Sequence, residues 1–148
     1  MEKYIFLDFD GVLNNNDSIA QGIHLLPEKV VLVNQIAKRT DAKIVVSSSW
    51  RRIFTAEQLY ILLTVAGMTV LGHPAALGYS VDITPMVGMR GREIEMWLAD
   101  NAVTPYRYVI LDDDSDFFAY QQQLQIHTDA RFGLQPEDVD RAVAILNA

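Results

Sequence analysis

Three short, nearly unbroken apolar runs, each ending abruptly in a polar cluster, constrain this chain more than any other feature. Tyr4-Ile5-Phe6-Leu7 stops at Asp8-Phe9-Asp10-Gly11. Lys43-Ile44-Val45-Val46 stops at Ser47-Ser48-Ser49. Tyr106-Arg107-Tyr108-Val109-Ile110-Leu111 runs into Asp112-Asp113-Asp114-Ser115-Asp116. Runs of this length without strict polar alternation suit strands covered on both faces, as in a parallel sheet. Between them lie helical patterns. Leu26-Pro27-Glu28 opens a helix with Val30, Val33, Ile36 and Ala37 on one face, to about Arg39. Thr55-Ala56-Glu57-Gln58 opens a second, with Leu59, Leu62, Leu63 and Ala66 as its apolar face and Gly67 as the stop. Ile94, Trp97 and Leu98 mark a third over 91–98, and Pro136-Glu137-Asp138 a last one with Val139, Ala142, Val143 and Leu146 inward. Met68-Thr69-Val70-Leu71 reads as a short strand, 72–88 as a Gly/Pro-punctuated loop, and Leu124-Gln125-Ile126-His127 as a weak edge strand. Strands alternating with helices predict an α/β fold, a three-layer sandwich around a central parallel sheet.

Composition narrows the field. At 148 residues, with half of them apolar and no repeat or linker, the chain reads as one domain over 1–148, able to bury about two-thirds of its unfolded surface. Without cysteine there are no disulfides and no thiolate metal sites. Twelve Lys and Arg against 19 Asp and Glu give −7, which lacks the global basic charge of a non-specific nucleic-acid binder but leaves room for a local basic patch. The most apolar later stretch, 59–72, is too short to span a bilayer, so no membrane partner and a cytoplasmic setting are expected. His24, His73 and His127 have no metal-ligand spacing.

In open α/β sheets the ligand crevice lies beyond the carboxyl ends of the strands, where strand order reverses. Asp8/Asp10, Ser47/Ser48 and Asp112/Asp113/Asp116 would converge there. Aspartates after strands also serve turns and helix caps, and for any single cluster that account is sufficient. Three such clusters ending three buried strands call for something more. Carboxylates gathered in a partly dry crevice repel unless a cation joins them, and an all-oxygen donor set suits Mg²⁺.

Phe6-Leu7-Asp8-Phe9-Asp10-Gly11-Val12-Leu13 resembles the first motif of the haloacid dehalogenase (HAD) superfamily of phosphohydrolases. Val45-Val46-Ser47 is similar to its second motif, and Ile110-Leu111-Asp112-Asp113 with Asp116 to its acidic fourth. The third motif is a basic residue near a helix start, for which Arg90 is the best candidate, with Arg92 two residues on. Ser47-Ser48-Ser49-Trp50-Arg51, the 90–98 run and Gly133-Leu134-Gln135-Pro136-Glu137-Asp138-Val139 together resemble the small HAD domains of "Swiss Army knife" RNA-repair proteins.

That resemblance implies a HAD-like Rossmannoid fold with minimal or no cap, and phosphomonoester hydrolysis through an aspartyl-phosphate. Asp8 would be the nucleophile and Asp10 the general acid and base. Mg²⁺ would be held by Asp8, the Asp10 carbonyl and Asp113, with Asp112 and Asp116 orienting waters or ligands. Ser47, the Ser48 amide and Arg90 or Arg92 would bind the phosphoryl oxygens. A short 14–26 segment and no room for a lid over 68–90 imply an open crevice, which favours a phosphorylated substrate such as an RNA or DNA end, a nucleotide or a phosphoprotein over an enclosed metabolite, with repair proteins as partners. Trp50, Arg51 and Arg52 would stack a base and contact phosphate, or else pack on the sheet edge and lie in solvent. Asn14 would line the mouth of the site. The rivals are a receiver-like phospho-signalling domain, which the Asp-x-Asp-Gly pattern on the first strand fits poorly, and a HAD-like binding module without activity.

Overall fold

Alternation along the central strand sets the layers. In β1 (Glu2–Leu7), Ile5 and Leu7 point to one face and Tyr4 and Phe6 to the other, all buried. The computed structural model describes residues 1–70, 72–76 and 78–148. After β1 come α1 (Asn16–Ala20), α2 (Pro27–Thr40) and β2 (Lys43–Val46), followed by a 3₁₀ turn over Ser49–Arg52 and α3 (Ala56–Val65). Next are β3 (His73–Ala75), β4 (Gly78–Ser80), β5 (Asp82–Ile83) and α4 (Arg90–Asn101). The chain finishes with β6 (Tyr106–Asp112), α5 (Ala119–Gln122), β7 (Gln125–His127) and α6 (Pro136–Leu146).

Five strands form one parallel sheet in the order β5-β2-β1-β6-β7. From β1 the chain builds outward to β2 and β5, then returns across β1 to β6 and β7. Strand order therefore reverses between β1 and β6. On one face Ile5, Leu7, Val46, Val109 and Leu111 pack against α2, α3 and α6; on the other, Tyr4, Phe6, Val45, Tyr108 and Ile110 meet Ile94, Trp97 and Leu98 of α4. Trp97 stands edge-on to Tyr4 and Phe6, with ring centres 5.1 and 5.6 Å apart. The helix starts follow local chemistry. Pro27 opens α2, and a reciprocal Thr55–Gln58 capping box opens α3.

Two expectations are corrected. Met68–Val70 is not a strand; Leu71, the last of that run, lies outside the described residues. Residues 72–88 are not simply loop: they hold the antiparallel hairpin β3–β4, whose Tyr79 meets Tyr60 of α3 at 5.8 Å, and then β5, which joins the edge of the main sheet. Main-chain pairing with β2 outweighs the Gly and Pro content here, with Thr84 N–H donating to Val46 at 3.0 Å. Gln121 lies in the last turn of α5. It is fully buried and donates to the Gly91 carbonyl at 2.9 Å, pinning α4 to α5. The edge strand β7 and the last helix lie where the sequence pattern puts them. Among the described residues no helix is long and apolar enough to cross a membrane.

Candidate active site

Sheet register brings the acidic residues together before any side chain has to reach. Leu7 pairs with Leu111 across the two central strands, and Asp8 N–H donates to Leu111 at 3.0 Å, so the residues just beyond lie side by side at the switch point. Asp8, Asp112 and Asp113 each present a carboxylate oxygen within 4.8 Å of the other two. Asp8 and Asp112 are buried and Asp113 is half-buried. Gly11 has φ +80°, and a Cβ there would collide with the Asp113 carboxylate, so the loop after β1 can lie this close only with glycine at that position.

Electrostatics show what the trio lacks. Burial, reinforced by the Asp112 charge, lifts the Asp8 carboxyl well above its ordinary range, against the Arg90 guanidinium and the Phe9 N–H that donates to it at 2.8 Å. Burial likewise pushes Asp112 up to about 6, opposed by Arg90 and by the Asp114 N–H at 2.9 Å. Arg90, the first residue of α4, places Nη1 3.4 Å from Asp8 Oδ1 and 3.5 Å from Asp112 Oδ2, and it donates to the Ser47 carbonyl. Burial lowers its pKa, but Asp8 and Asp112 outweigh that and leave it raised. One guanidinium reaches two of three clustered carboxyls, which leaves negative charge for a proton or a cation to balance. The donor set is all oxygen, which suits a hard divalent cation.

The remaining expected site residues are placed as follows. Ser47 is buried at the end of β2, and its Oγ has no hydrogen-bond partner among the described residues. Ser48 is buried, and its Oγ accepts from Trp50 N–H at 3.2 Å, starting the 3₁₀ turn. Asp10 is exposed and its carboxylate stands apart from the trio; it accepts from Asn14 Nδ2 at 3.0 Å and Trp50 Nε1 at 3.2 Å. Asp116 does not join the trio either, since its Oδ2 accepts from the Arg90 backbone N–H at 3.1 Å and steadies the start of α4. Of the two basic residues, Arg90 reaches the carboxylates, whereas Arg92 is exposed and unpaired among the described residues.

The Trp50-Arg51-Arg52 stretch departs from both expected accounts at Arg51, while Trp50 packs and Arg52 lies in solvent. Trp50 is half-buried beside the crevice, edge-on to Phe9 at 5.0 Å. Arg51 is neither free for phosphate nor solvated. Its Nη2 pairs with Glu93 Oε1 at 2.6 Å, both side chains 4% exposed, and Nη1 donates to Thr84 Oγ1. Glu93 Oε2 accepts from the Val87 and Gly88 amides at 2.8 and 3.3 Å, so the pair ties the 3₁₀ turn, the end of β5 and the first turn of α4 into one unit. Only Arg52 is exposed. Sequence reading passed over Glu93, although a carboxylate four residues before Trp97, on the buried face of α4, signals a buried partner. Asn14 is not at the mouth; it is fully buried.

A family model described as "HAD domain in Swiss Army Knife RNA repair proteins" matches residues 4–139. Neither a curated protein nor a solved structure matches the chain.

Proposed function

Because this chain belongs to the family of HAD domains in Swiss Army Knife RNA repair proteins, we propose that it is a Mg²⁺-dependent phosphomonoester hydrolase acting through an aspartyl-phosphate. The observation that carries the reading is the Asp8–Asp112–Asp113 trio at the switch point, with the Arg90 guanidinium against it and, beside it, the Ser47 hydroxyl without a partner among the described residues. Asp8, Asp113 and the Asp10 carbonyl would hold the cation, with Asp112 supporting. When bound, Mg²⁺ would supply the missing positive charge and neutralise the phosphoryl oxygens.

In this mechanism an Asp8 carboxylate oxygen forms a bond to phosphorus as the bond to the leaving oxygen breaks. That oxygen departs with its electron pair and takes the proton carried by Asp10. Asp10, now a carboxylate, removes a proton from water, whose oxygen attacks phosphorus and releases phosphate and Asp8. Arg90 pulls away from its carboxylate contacts to meet the transferring phosphoryl group with a two-pronged fork, and Ser47 Oγ donates to it. Positioning and charge supply most of the catalysis in transfers of this kind.

The hairpin β3–β4 and the short helix α1 are each too small for a lid domain, which supports an open crevice and a substrate such as a nucleic-acid end or a nucleotide. The test is phosphate release at neutral pH, with Mg²⁺ or with EDTA, from p-nitrophenyl phosphate, mononucleotides and oligonucleotides carrying 3′- or 5′-phosphates. Repeated turnover lost with EDTA is expected, with end-phosphorylated oligonucleotides preferred. A single round that leaves a stable phospho-aspartate would favour a receiver-like switch. No reaction on any member would overturn the enzyme reading.

A further inference from the structure

Asp10 holds its carboxylate in an unusual way for an exposed aspartate, because each oxygen is taken by a different side-chain N–H from a different part of the fold. Asn14 Nδ2 donates to Oδ1 at 3.0 Å and Trp50 Nε1 to Oδ2 at 3.2 Å. Neither donor is free to turn away. Asn14 is fully buried; its Oδ1 accepts from Gly11 N–H at 2.8 Å and its Nδ2 also donates to the His24 carbonyl at 2.9 Å. With its oxygen committed to an amide donor, the Asn14 NH₂ group has to face Asp10. The Trp50 indole is wedged edge-on against Phe9 and His24, at 5.0 and 6.3 Å, with Phe54 behind it at 5.9 Å. An indole N–H is only ever a donor, so it suits a carboxylate at that point.

We propose that Trp50 and Asn14 are positioning residues that clamp the Asp10 carboxyl and fix its rotation for proton transfer. The inference rests on the phosphatase reading, in which Asp10 carries the proton for the leaving oxygen, and it adds what aims that proton. The clamp also joins two parts of the site. Trp50 belongs to the 3₁₀ turn that Ser48 caps, directly after Ser47, while Asn14 closes the turn that carries Asp10 itself. A carboxylate held at two points by N–H donors has its rotation fixed, which is the geometry proton transfer requires.

The test uses leaving groups. Trp50→Phe keeps a ring for the Phe9 contact and removes only the N–H. On an alkyl phosphate such as β-glycerophosphate, whose leaving oxygen needs the proton, kcat should fall about 10- to 100-fold, less than the roughly 10²–10⁴-fold of a general acid's whole contribution because Asp10 itself remains. On p-nitrophenyl phosphate, whose leaving group needs no proton, the fall should be less than about threefold, and KM should hold on both. In an Asp10→Asn background the same substitution should cost almost nothing, because the group it positions is gone. Equal losses on both substrates, or an undiminished loss in the Asp10→Asn background, would reduce Trp50 to packing and overturn the inference with the phosphatase reading intact. Wild type that turns over neither substrate would overturn the reading and the inference with it. A measurement independent of activity completes the test. The chain has two tryptophans, so its amide NMR spectrum holds two indole N–H resonances. Asp10→Asn should move the Trp50 resonance and leave that of Trp97; two unmoved resonances would disprove the contact.

Discussion

Two groups of buried charge lie close together in this fold and are built on opposite plans. Arg51 and Glu93 form a one-to-one pair whose remaining acceptor lone pairs are met by the Val87 and Gly88 amides and whose second guanidinium nitrogen meets Thr84. Of Asp8, Asp112 and Asp113, the first two share the Arg90 guanidinium, and Asp113 lies beside them. The first group is balanced in charge, although Arg51 Nε is buried without a hydrogen-bond partner among the described residues. The second carries two carboxyls shifted upward and a serine hydroxyl with no partner among the described residues. Balanced charge at such depth holds structure, whereas unbalanced charge leaves capacity for a ligand.

The sharpest way to break this contrast is Asp8→Asn. If Asp8 is the nucleophile, phosphate release should fall by at least ~10³-fold, on the scale of losing a covalent nucleophile. Thermal stability without added metal should stay level or rise, because a buried carboxyl crowded by Asp112 has been neutralised. A marked fall in melting temperature would place Asp8 with the structural charges.

Glu93→Gln should do the reverse. It leaves Arg51 charged, buried and without a counter-charge; burial already lowers the pKa of this arginine, with the Glu93 bond acting against that. Removing one partner of a buried pair costs about 3–5 kcal/mol. Urea unfolding should report that loss with an unchanged m-value. Activity on the folded protein should fall far less than for Asp8→Asn, through a looser first turn of α4 and a less well placed Arg90.

A third effect is a slope with pH. Asp112 is raised from 3.8 to about 6, so between these values the folded chain holds a proton more tightly than the unfolded chain does. Folding takes up that proton, so this part of the stability is fully present at acid pH and is lost as pH rises through the window. By pH 7 the loss from Asp112 is about 3 kcal/mol. Melting curves in EDTA from pH 4.5 to 7.5 should therefore show a decline in wild type that is flatter in Asp112→Asn. Mg²⁺ should flatten it as well, by supplying the missing charge. A wild-type slope identical to that of Asp112→Asn would mean the trio is balanced already.

The contrast also explains which parts of the molecule were legible in the sequence. The parallel sheet was, because Ile5, Phe6, Leu7, Val45, Val46, Ile110 and Leu111 are buried by both layers and leave a continuous apolar signature. Asp8 and Asp112 were too, since position at a strand end is itself a sequence property. Residues 72–88 were not. Strand β5 is two residues long and is made by main-chain pairing to β2, which leaves no side-chain period to read. The Arg51–Glu93 pair and the Asn14 network depend on contacts 42 and 10 residues apart, and single charged or amide side chains carry no mark of such partners. Arg90 and Arg92, alike in sequence, diverge because only Arg90, the first residue of α4, extends its guanidinium toward Asp8 and Ser47.

The smallest expected effect tests where the unbalanced group ends. Asp116 stands four residues past Asp112 and carries the same charge, yet its carboxylate serves the Arg90 backbone amide, one of the N–H groups a helix start leaves without an internal partner. Asp116→Ala should cost about 1 kcal/mol, the scale of losing a helix-start acceptor, and so lower the melting temperature by roughly 2–4 °C. Phosphate release should fall less than tenfold, as Arg90 loses some of its anchoring, and the Mg²⁺ concentration for half-maximal activity should not move. If Asp116→Ala instead raised that concentration strongly, Asp116 would be contributing to cation binding, and the unbalanced set would hold four carboxyls instead of three. Asp116→Asn separates the two roles, because an amide oxygen can still accept from the Arg90 N–H but brings no negative charge to a cation.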